Sequence, residues 1–411
     1  MNRNRSPAAQ WLVQWAAAVA RQGPQQAAMP PWPASWRRLP ALARYHEVFP
    51  LLAHAAAGDA PTMPQAARAA LRRDWPFIVG RSLLHWEGLR QAVQALEAAG
   101  VPVLPLKGAV LGELLYREAT LRPSVDIDLL VPWDQWSSAV GVLEALGYRR
   151  ACLPMSDAFR WRHHKSMEYV RAGLCLELHW NFAAPRPNRI DPAFAWARAS
   201  RRSIRGLEVC TLSWEDQLLT LTIHLRRNLQ HLRLKHLLDL GLLMSAEGGS
   251  LDWAYVWRQA GALRLRRTLA YTLLLVEHVL DVPLPPGAQL VQERGWRRRW
   301  WLRHVGEELG WEPELQRVGR RRRDAALFKW TLMDSWLDGA RSSVKYLWWR
   351  WDERRLRRRL SMETAPQYES PRKERQPDQV APPEPPRMAA QPETPLQPAA
   401  PDPRRRPSLI P

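Results

Sequence analysis

Cysteine is scarce in this 411-residue chain: Cys152, Cys175 and Cys210 are its three, odd in number and without a Cys-x-x-Cys spacing. Such usage argues against a disulfide framework or a cysteine zinc site and reads as reduced core thiols in a cytosolic protein. Long apolar runs are missing too. No stretch reaches the roughly 18 uncharged apolar residues that a membrane span requires. Acidic residues are in deficit, 40 against 60 Lys and Arg, which leaves a net charge of +20. That balance suits anionic partners, whether nucleotides, nucleic acid or acidic lipid. An Arg-, Ala- and Pro-rich composition raises the same charge for reasons unrelated to a partner, so the charge alone does not choose.

What is present divides the chain into five segments. Residues 1–40 hold one helix and a Pro-rich connector (Pro30, Pro31, Pro33). The basic start and the apolar run Trp11 to Ala20 share the outline of a secretion signal. Gln14 interrupts that run, however, and the spacing Trp11, Leu12, Trp15, Val19 suits an amphipathic helix. Residues 41–96 are a helical lead-in, and Gly100 stops the helix that runs through Leu89, Val93 and Leu96. Residues 97–212 mix helix and strand. Residues 213–360 return to helix, broken near Pro283–Gly287 and basic and Trp-rich towards the end. Residues 361–411 carry fourteen of the 36 prolines and little apolar material, the composition of a disordered tail.

The segment Arg122-Pro-Ser-Val-Asp126-Ile-Asp128-Leu-Leu-Val131 carries the most chemistry. On a strand over 125–131, Asp126 and Asp128 point to one face and Ile127 and Leu129 to the other. Adjacent carboxylates repel each other, and a divalent cation supplies the missing charge. Oxygen ligands of this kind suit Mg²⁺, with Mn²⁺ as the substitute. Upstream, Leu104-Pro-Leu-Lys107-Gly108-Ala109 reads as strand, glycine turn and helix, a turn that lets an anion approach backbone N–H groups at the helix start. Downstream, Leu174-Cys-Leu-Glu177-Leu-His179-Trp180 alternates, so that Cys175, Glu177 and His179 share a face.

A Lys-Gly turn, a Leu-Tyr helix, and Arg before Asp-Ile-Asp-Leu-Leu-Val together resemble the DNA polymerase beta-type nucleotidyltransferase superfamily. More narrowly, they resemble a group of bacterial uncharacterised nucleotidyltransferases, over roughly residues 45–245. The resemblance implies an α+β fold, a small mixed-sheet nucleotidyltransferase core over 97–212 flanked by N- and C-terminal helical regions. It implies transfer of a nucleoside monophosphate from a nucleoside triphosphate to an acceptor. Asp126, Asp128 and Glu177 would be the catalytic metal ligands, and Lys107, Gly108 and Arg122 would hold the triphosphate. On strand alternation His179 would sit beside Glu177 as a metal-site neighbour or proton acceptor, and Lys235 would join it in binding the nucleotide. One residue departs from the pattern: Ala109 stands where the superfamily usually has Ser or a second Gly, so phosphate must rely on backbone N–H groups and Lys107. The acceptor is not legible; a small amine or sugar, a protein hydroxyl and an RNA end all fit.

Two further features stay open. His163, His164 and Lys165 read either as cleft residues or as a plain surface loop, and Lys235 and Asp239 either as a cleft wall or as an i,i+4 surface pair. The runs Arg297–Trp301, Arg320–Arg323 and Tyr346–Leu360 mix Arg with Trp. They suit an anionic membrane, nucleic acid, or a solvated helix with aromatic core contacts. The second functional class is therefore a silent nucleotide-binding or scaffold module with a basic binding region, cytoplasmic or peripheral to the membrane; oligomeric state is not legible.

Overall fold

The structure, a computed structural model, describes residues 6–57, 63–151, 156–184, 190–228, 232–288, 301–302 and 332–362. Cys152, the runs Arg297–Trp300 and Arg320–Arg323, and the chain after Met362 lie outside them. Helix α1 (Pro7–Gln22) opens at Ser6, whose Oγ accepts the Ala9 N–H at 3.3 Å. Trp11, Leu12, Trp15, Ala16 and Val19 are all buried, so the apolar run with the outline of a signal is core material. The lead-in forms α2 (Leu39–Tyr45), α3 (Phe49–Ala57) and the long α4 (Gln65–Ala98).

A short β1 (Leu104–Pro105) runs into α5 (Gly108–Tyr116), followed by β2 (Ile127–Leu130), α6 (Trp136–Ala145), β3 (Arg149–Arg150) and α7 (Asp157–His163). A hairpin of β4 (Ser166–Arg171) and β5 (Leu174–His179), the helical turn α8 (Ala193–Ala197), and a hairpin of β6 (Ser200–Ile204) and β7 (Leu207–Thr211) complete the strands. The main sheet has the order β1-β2-β5-β4-β3, with β2 and β5 parallel at its centre and the other pairs antiparallel. Helices α9 (Trp214–Asn228), α10 (Leu234–Glu247), α11 (Trp253–Ala262), α12 (Arg266–Leu280) and α13 (Trp336–Met362) follow. The fold is α+β, with a mixed five-stranded sheet set among helices.

Strand alternation divides the sheet into two unlike faces. Ile127, Leu129, Leu176 and Leu178 pack on Trp86, Leu89 and Val93 of α4 and on Leu143 of α6. Gly88 permits this approach, because a Cβ there would lie 2.8 Å from Leu174 Cδ1 and 3.0 Å from Ile127 Cδ1. The opposite face carries Leu130 into a second core shared with α1, α9, α10 and α12. Asp128, Glu177 and His179 also point to that face, between the sheet and the helices. Each buried Leu contributes about 1.5–3 kcal/mol, so the sheet between two apolar layers is a rigid base for its polar residues.

One expectation about β2 changes. Pairing with β5 begins at Ile127 opposite Leu176, and Asp126 lies in a bend just before it. There Ser124 Oγ donates to the Asp126 carbonyl at 2.8 Å, closing a local turn just before the strand. Cys175 and Cys210 are half-buried thiols outside any disulfide. Among the described residues, no helix is long and apolar enough to cross a membrane.

Candidate active site

Parallel pairing sets Asp128 opposite Glu177, and Leu130 opposite His179. Neighbours on one face of parallel strands converge, and the three polar side chains do so. His179 Nε2 is 2.9 Å from Asp128 Oδ1 and 3.2 Å from Glu177 Oε2. Carboxylates only accept, so Nε2 carries the ring proton. Lys107 Nζ lies 2.9 Å from Asp128 Oδ2, while Lys165 Nζ is 3.4 Å from Glu177 Oε2 and 3.3 Å from His179 Nδ1. Ser166 Oγ donates to Glu177 Oε2 at 3.3 Å.

The charges in this cluster compensate one another. Burial alone would raise the Asp128 carboxyl, but the Lys107 charge and the His179 hydrogen bond outweigh it and hold the carboxyl well below the usual range. Burial likewise opposes ionisation of Glu177, and the bond from His179 and the charge of Lys165 bring it far down. Burial draws Lys165 down to about 8, against the pull of Glu177.

Lys107 caps α5, and Gly108 begins it with φ of 63°. That left-handed conformation costs a residue with a Cβ about 1–2 kcal/mol, which explains a glycine here. Ser124 Oγ would lie 3.5 Å from a Cβ at Gly108. A hydroxyl therefore stands near the turn although Ala109 has none.

Beside the cluster lies a small, partly open recess of about 20 Å³, room for about one water, which a larger ligand would have to widen. Leu106, Phe182 and Leu221 supply its apolar lining, and Lys107, Lys165, His179, His224 and Arg227 its polar lining. Arg227 is exposed, and no described carboxylate lies within ion-pair distance of it. A recess with three cationic side chains and a helix start at its edge has the chemistry of a polyphosphate receptor.

The sequence candidates are distributed unevenly around this site. Asp128, Glu177, His179, Lys107 and Gly108 come together. Asp126 stands half-buried at the entry to β2, close enough for its charge to act on Lys107. Arg122 points elsewhere: buried, it makes a two-pronged pair with Asp239 (Nε–Oδ1 and Nη2–Oδ2 both 2.8 Å). Its Nη1 donates to the Gly108 carbonyl at 3.4 Å, bracing the turn from behind. Asp239 also accepts from Tyr116 Oη at 2.9 Å, so the Lys235–Asp239 surface pair is replaced. Lys235 instead bonds the Pro123 carbonyl at 3.3 Å and pairs with Glu47. Of the loop His163–Lys165, Lys165 enters the site, while His163 Nε2 is 2.8 Å from Asp352 Oδ2 of α13. His224 and Arg227 were not among the sequence candidates. They lie on the apolar-patterned α9, and a His-x-x-Arg spacing on one helix turn was the only local signal.

Two carboxylate oxygens and one imidazole nitrogen, all within 4.8 Å of one another, fit a divalent cation. Asp128 Oδ2 is buried and meets Lys107 Nζ at 2.9 Å, so a bound cation would share that oxygen with the ammonium or displace it. A family model described as an uncharacterised nucleotidyltransferase matches residues 33–281. The chain belongs to that nucleotidyltransferase family. As a family member it is a transferase that takes a nucleotide and an acceptor, and nucleotidyltransferases generally use divalent metals. No curated protein matches the chain. Among solved structures, the crystal structure of ANT(2")-Ia in complex with adenylyl-2"-tobramycin aligns with a TM-score of 0.31 and 18% identity, over 43% of this chain and 94% of that one. An antigenic nucleotidyltransferase-like protein from Paracoccidioides brasiliensis aligns with a TM-score of 0.28 and 17% identity, over 49% of this chain and 96% of that one.

Proposed function

We propose that this nucleotidyltransferase moves a nucleoside monophosphate from a nucleoside triphosphate to an acceptor, using Mg²⁺ or Mn²⁺ held by Asp128, Glu177 and His179. The observation that carries the reading is the convergence of these three side chains beside a cation-lined recess at the start of α5. Asp126 is the further carboxylate at the mouth of the site. The bound cation would neutralise charge on the phosphate oxygens during transfer. His179 would give up its Nε2 proton to become a ligand, and an imidazole in the donor set suits Mn²⁺ better than Mg²⁺.

The remaining work falls to positioning and charge, as in phosphoryl transfer generally. Lys107, Lys165 and Arg227 face the recess and would hold the triphosphate, drawing negative charge off its β- and γ-phosphates. Gly108 brings backbone N–H groups to the phosphates. Arg122 fixes the Gly108 carbonyl and Lys235 fixes Pro123, so both act on the site by holding its loops. The acceptor atom attacks the α-phosphorus and gives its proton to solvent, the bond to the β-phosphate oxygen breaks, and pyrophosphate leaves.

The test is a screen of labelled nucleoside triphosphates against the full chain with Mg²⁺ and with Mn²⁺, reading pyrophosphate release and label transfer. Turnover that disappears in Asp128→Asn supports the reading. Tight triphosphate binding with no turnover under any metal, across acceptor classes, would replace it with a silent nucleotide-binding module.

A further inference from the structure

Helix α13 is turned the wrong way for a core helix. Its two aspartates face the protein, while Glu353 is half-buried: Asp338 accepts from Arg264 Nη1 at 2.5 Å and from Ser335 Oγ at 2.8 Å, and Asp352 pairs with His163 and Arg162. Its apolar side chains face outward. Trp336 is 72% exposed, Val344 65%, Leu347 66% and Trp351 55%. With Leu337, also exposed, they recur at the helical spacing and form one stripe along the helix, while Trp348 at its margin packs on the His163 ring with centroids 4.5 Å apart. Arg341, Arg350, Arg354 and Arg355 are exposed on the same helix. A surface helix usually turns its apolar residues inward, and between Trp336 and Trp351 α13 turns several of them outward beside its exposed arginines.

We propose that α13 docks on an anionic lipid surface, with Val344, Leu347 and Trp351 entering the boundary between headgroups and acyl chains and the flanking arginines meeting lipid phosphates. Charge decides the occupant. With both aspartates turned inward, the exposed face offers cations around an apolar strip, the pattern of an interfacial helix. A second copy meeting this face by two-fold symmetry would set arginine against arginine. Nucleic acid would use the arginines and the tryptophan rings, but Val344, Leu347 and Leu337 offer it nothing to stack on. The helix lies on the surface rather than across it, in keeping with the lack of a membrane-crossing helix among the described residues.

The experiment is co-sedimentation of the full chain with vesicles of phosphatidylcholine, alone and with one-third phosphatidylglycerol. Binding should favour the anionic vesicles by about tenfold or more and weaken with added salt. The double substitution Val344→Glu and Leu347→Glu should lower vesicle affinity about tenfold without moving the thermal midpoint, since both side chains are exposed. Replacing Arg350 and Arg354 by Gln should remove the preference for anionic vesicles and leave weak neutral binding. No binding at low salt would overturn the proposal, as would binding indifferent to both double substitutions. A dimer by light scattering that the Glu pair dissolves would assign the face to a second copy. Single-stranded RNA binding without vesicle binding would assign it to nucleic acid.

Discussion

Two buried aspartates face the same helical layer and are used in opposite ways. Asp239 meets Arg122 in a two-pronged pair and accepts from Tyr116, so each of its oxygens has a directed partner. Asp128 meets His179 through Oδ1 and Lys107 through Oδ2, each at 2.9 Å, but its cluster adjoins a recess. Both carboxyls are held below the usual range, Asp239 against burial by Arg122 and Asp128 against burial by Lys107. A low carboxyl pKa therefore does not separate a structural pair from a working one. Geometry does: the closed pair ties the loop before β2 to α10, and the open cluster keeps donor atoms for a ligand.

The largest effect should come from breaking the closed pair. Arg122→Met leaves the Asp239 charge buried beside Tyr116 alone, and about 3–5 kcal/mol of stability should be lost. Urea denaturation reads this, and adding Asp239→Leu should restore most of it. A loss below about 1 kcal/mol would mean that Asp239 reaches water and that the pair is not a structural tie.

Breaking the open cluster should damage chemistry more than folding. Asp128→Asn should lower pyrophosphate release by at least about a hundredfold, the scale of removing one electrostatic contact at a reacting centre. Relief of repulsion between Asp126 and Asp128 would make this variant at least as stable as the parent. The structure reverses that sign, because Lys107 and His179 already compensate Asp128, and removing its charge strands Lys107. A modest loss of about 1–3 kcal/mol is expected. A variant more stable than the parent would show that the compensation is weaker than the distances imply.

Acid should act on the two regions through different groups. Asp128, Glu177 and Asp239 have depressed pKa values. The stability they contribute is complete above their unfolded values near 4 and is lost as pH falls below them. Buried histidines respond earlier. Burial first, with Lys235 second, lowers His236 to about 3, and burial with Arg81 lowers His85 to about 4. Both stay neutral in the fold while the unfolded chain takes up protons below pH about 6.5. Stability should therefore begin to fall near pH 6.5 and drop by about 2 kcal/mol by pH about 5.5. His236→Asn keeps an acceptor for the Arg233 N–H at the start of α10 and should remove about a third of that early slope, since burial lowers His224 as well. An unchanged slope would place the early titration elsewhere.

How far the sequence revealed this site depends on which contacts are local. Asp128, Glu177 and His179 were legible because period-two alternation assigns a face without any tertiary knowledge, and Lys107-Gly108 because a glycine at a helix start has few other uses. The expected strand ran long at its start, since Asp126 lies in a bend before β2 where Ser124 bonds its carbonyl. The Arg122–Asp239 pair joins residues 117 apart in sequence, and nothing near either one names its partner. His224 and Arg227 were hidden by the apolar pattern of α9, which shows that a face is buried and is silent about a polar pair at its margin. The interleaved charges of α13 were visible, but which of its sides meets the protein is set by Asp338 and Asp352 finding Arg264 and His163.

The smallest effect expected is also the sharpest test of where the triphosphate lies. Arg227 is exposed at the recess and makes no described ion pair, although the charges of Glu177 and Asp128 act on it, so Arg227→Met should move the thermal midpoint only slightly. If Arg227 holds the β- or γ-phosphate in both ground and transition states, its loss removes uniform binding, and KM for the triphosphate should rise about three- to tenfold with kcat little altered. Screening by water keeps the change to about 1 kcal/mol, well below the effect at Asp128. Arg227→Lys should recover part of it, because the charge returns while the two-pronged geometry does not. The nucleoside monophosphate, lacking the outer phosphates, should bind parent and variant alike. A KM unchanged in Arg227→Met would move the triphosphate away from α9 and leave Lys107 and Lys165 as its only cations. A drop in kcat at constant KM would instead place Arg227 on charge that develops only as pyrophosphate departs.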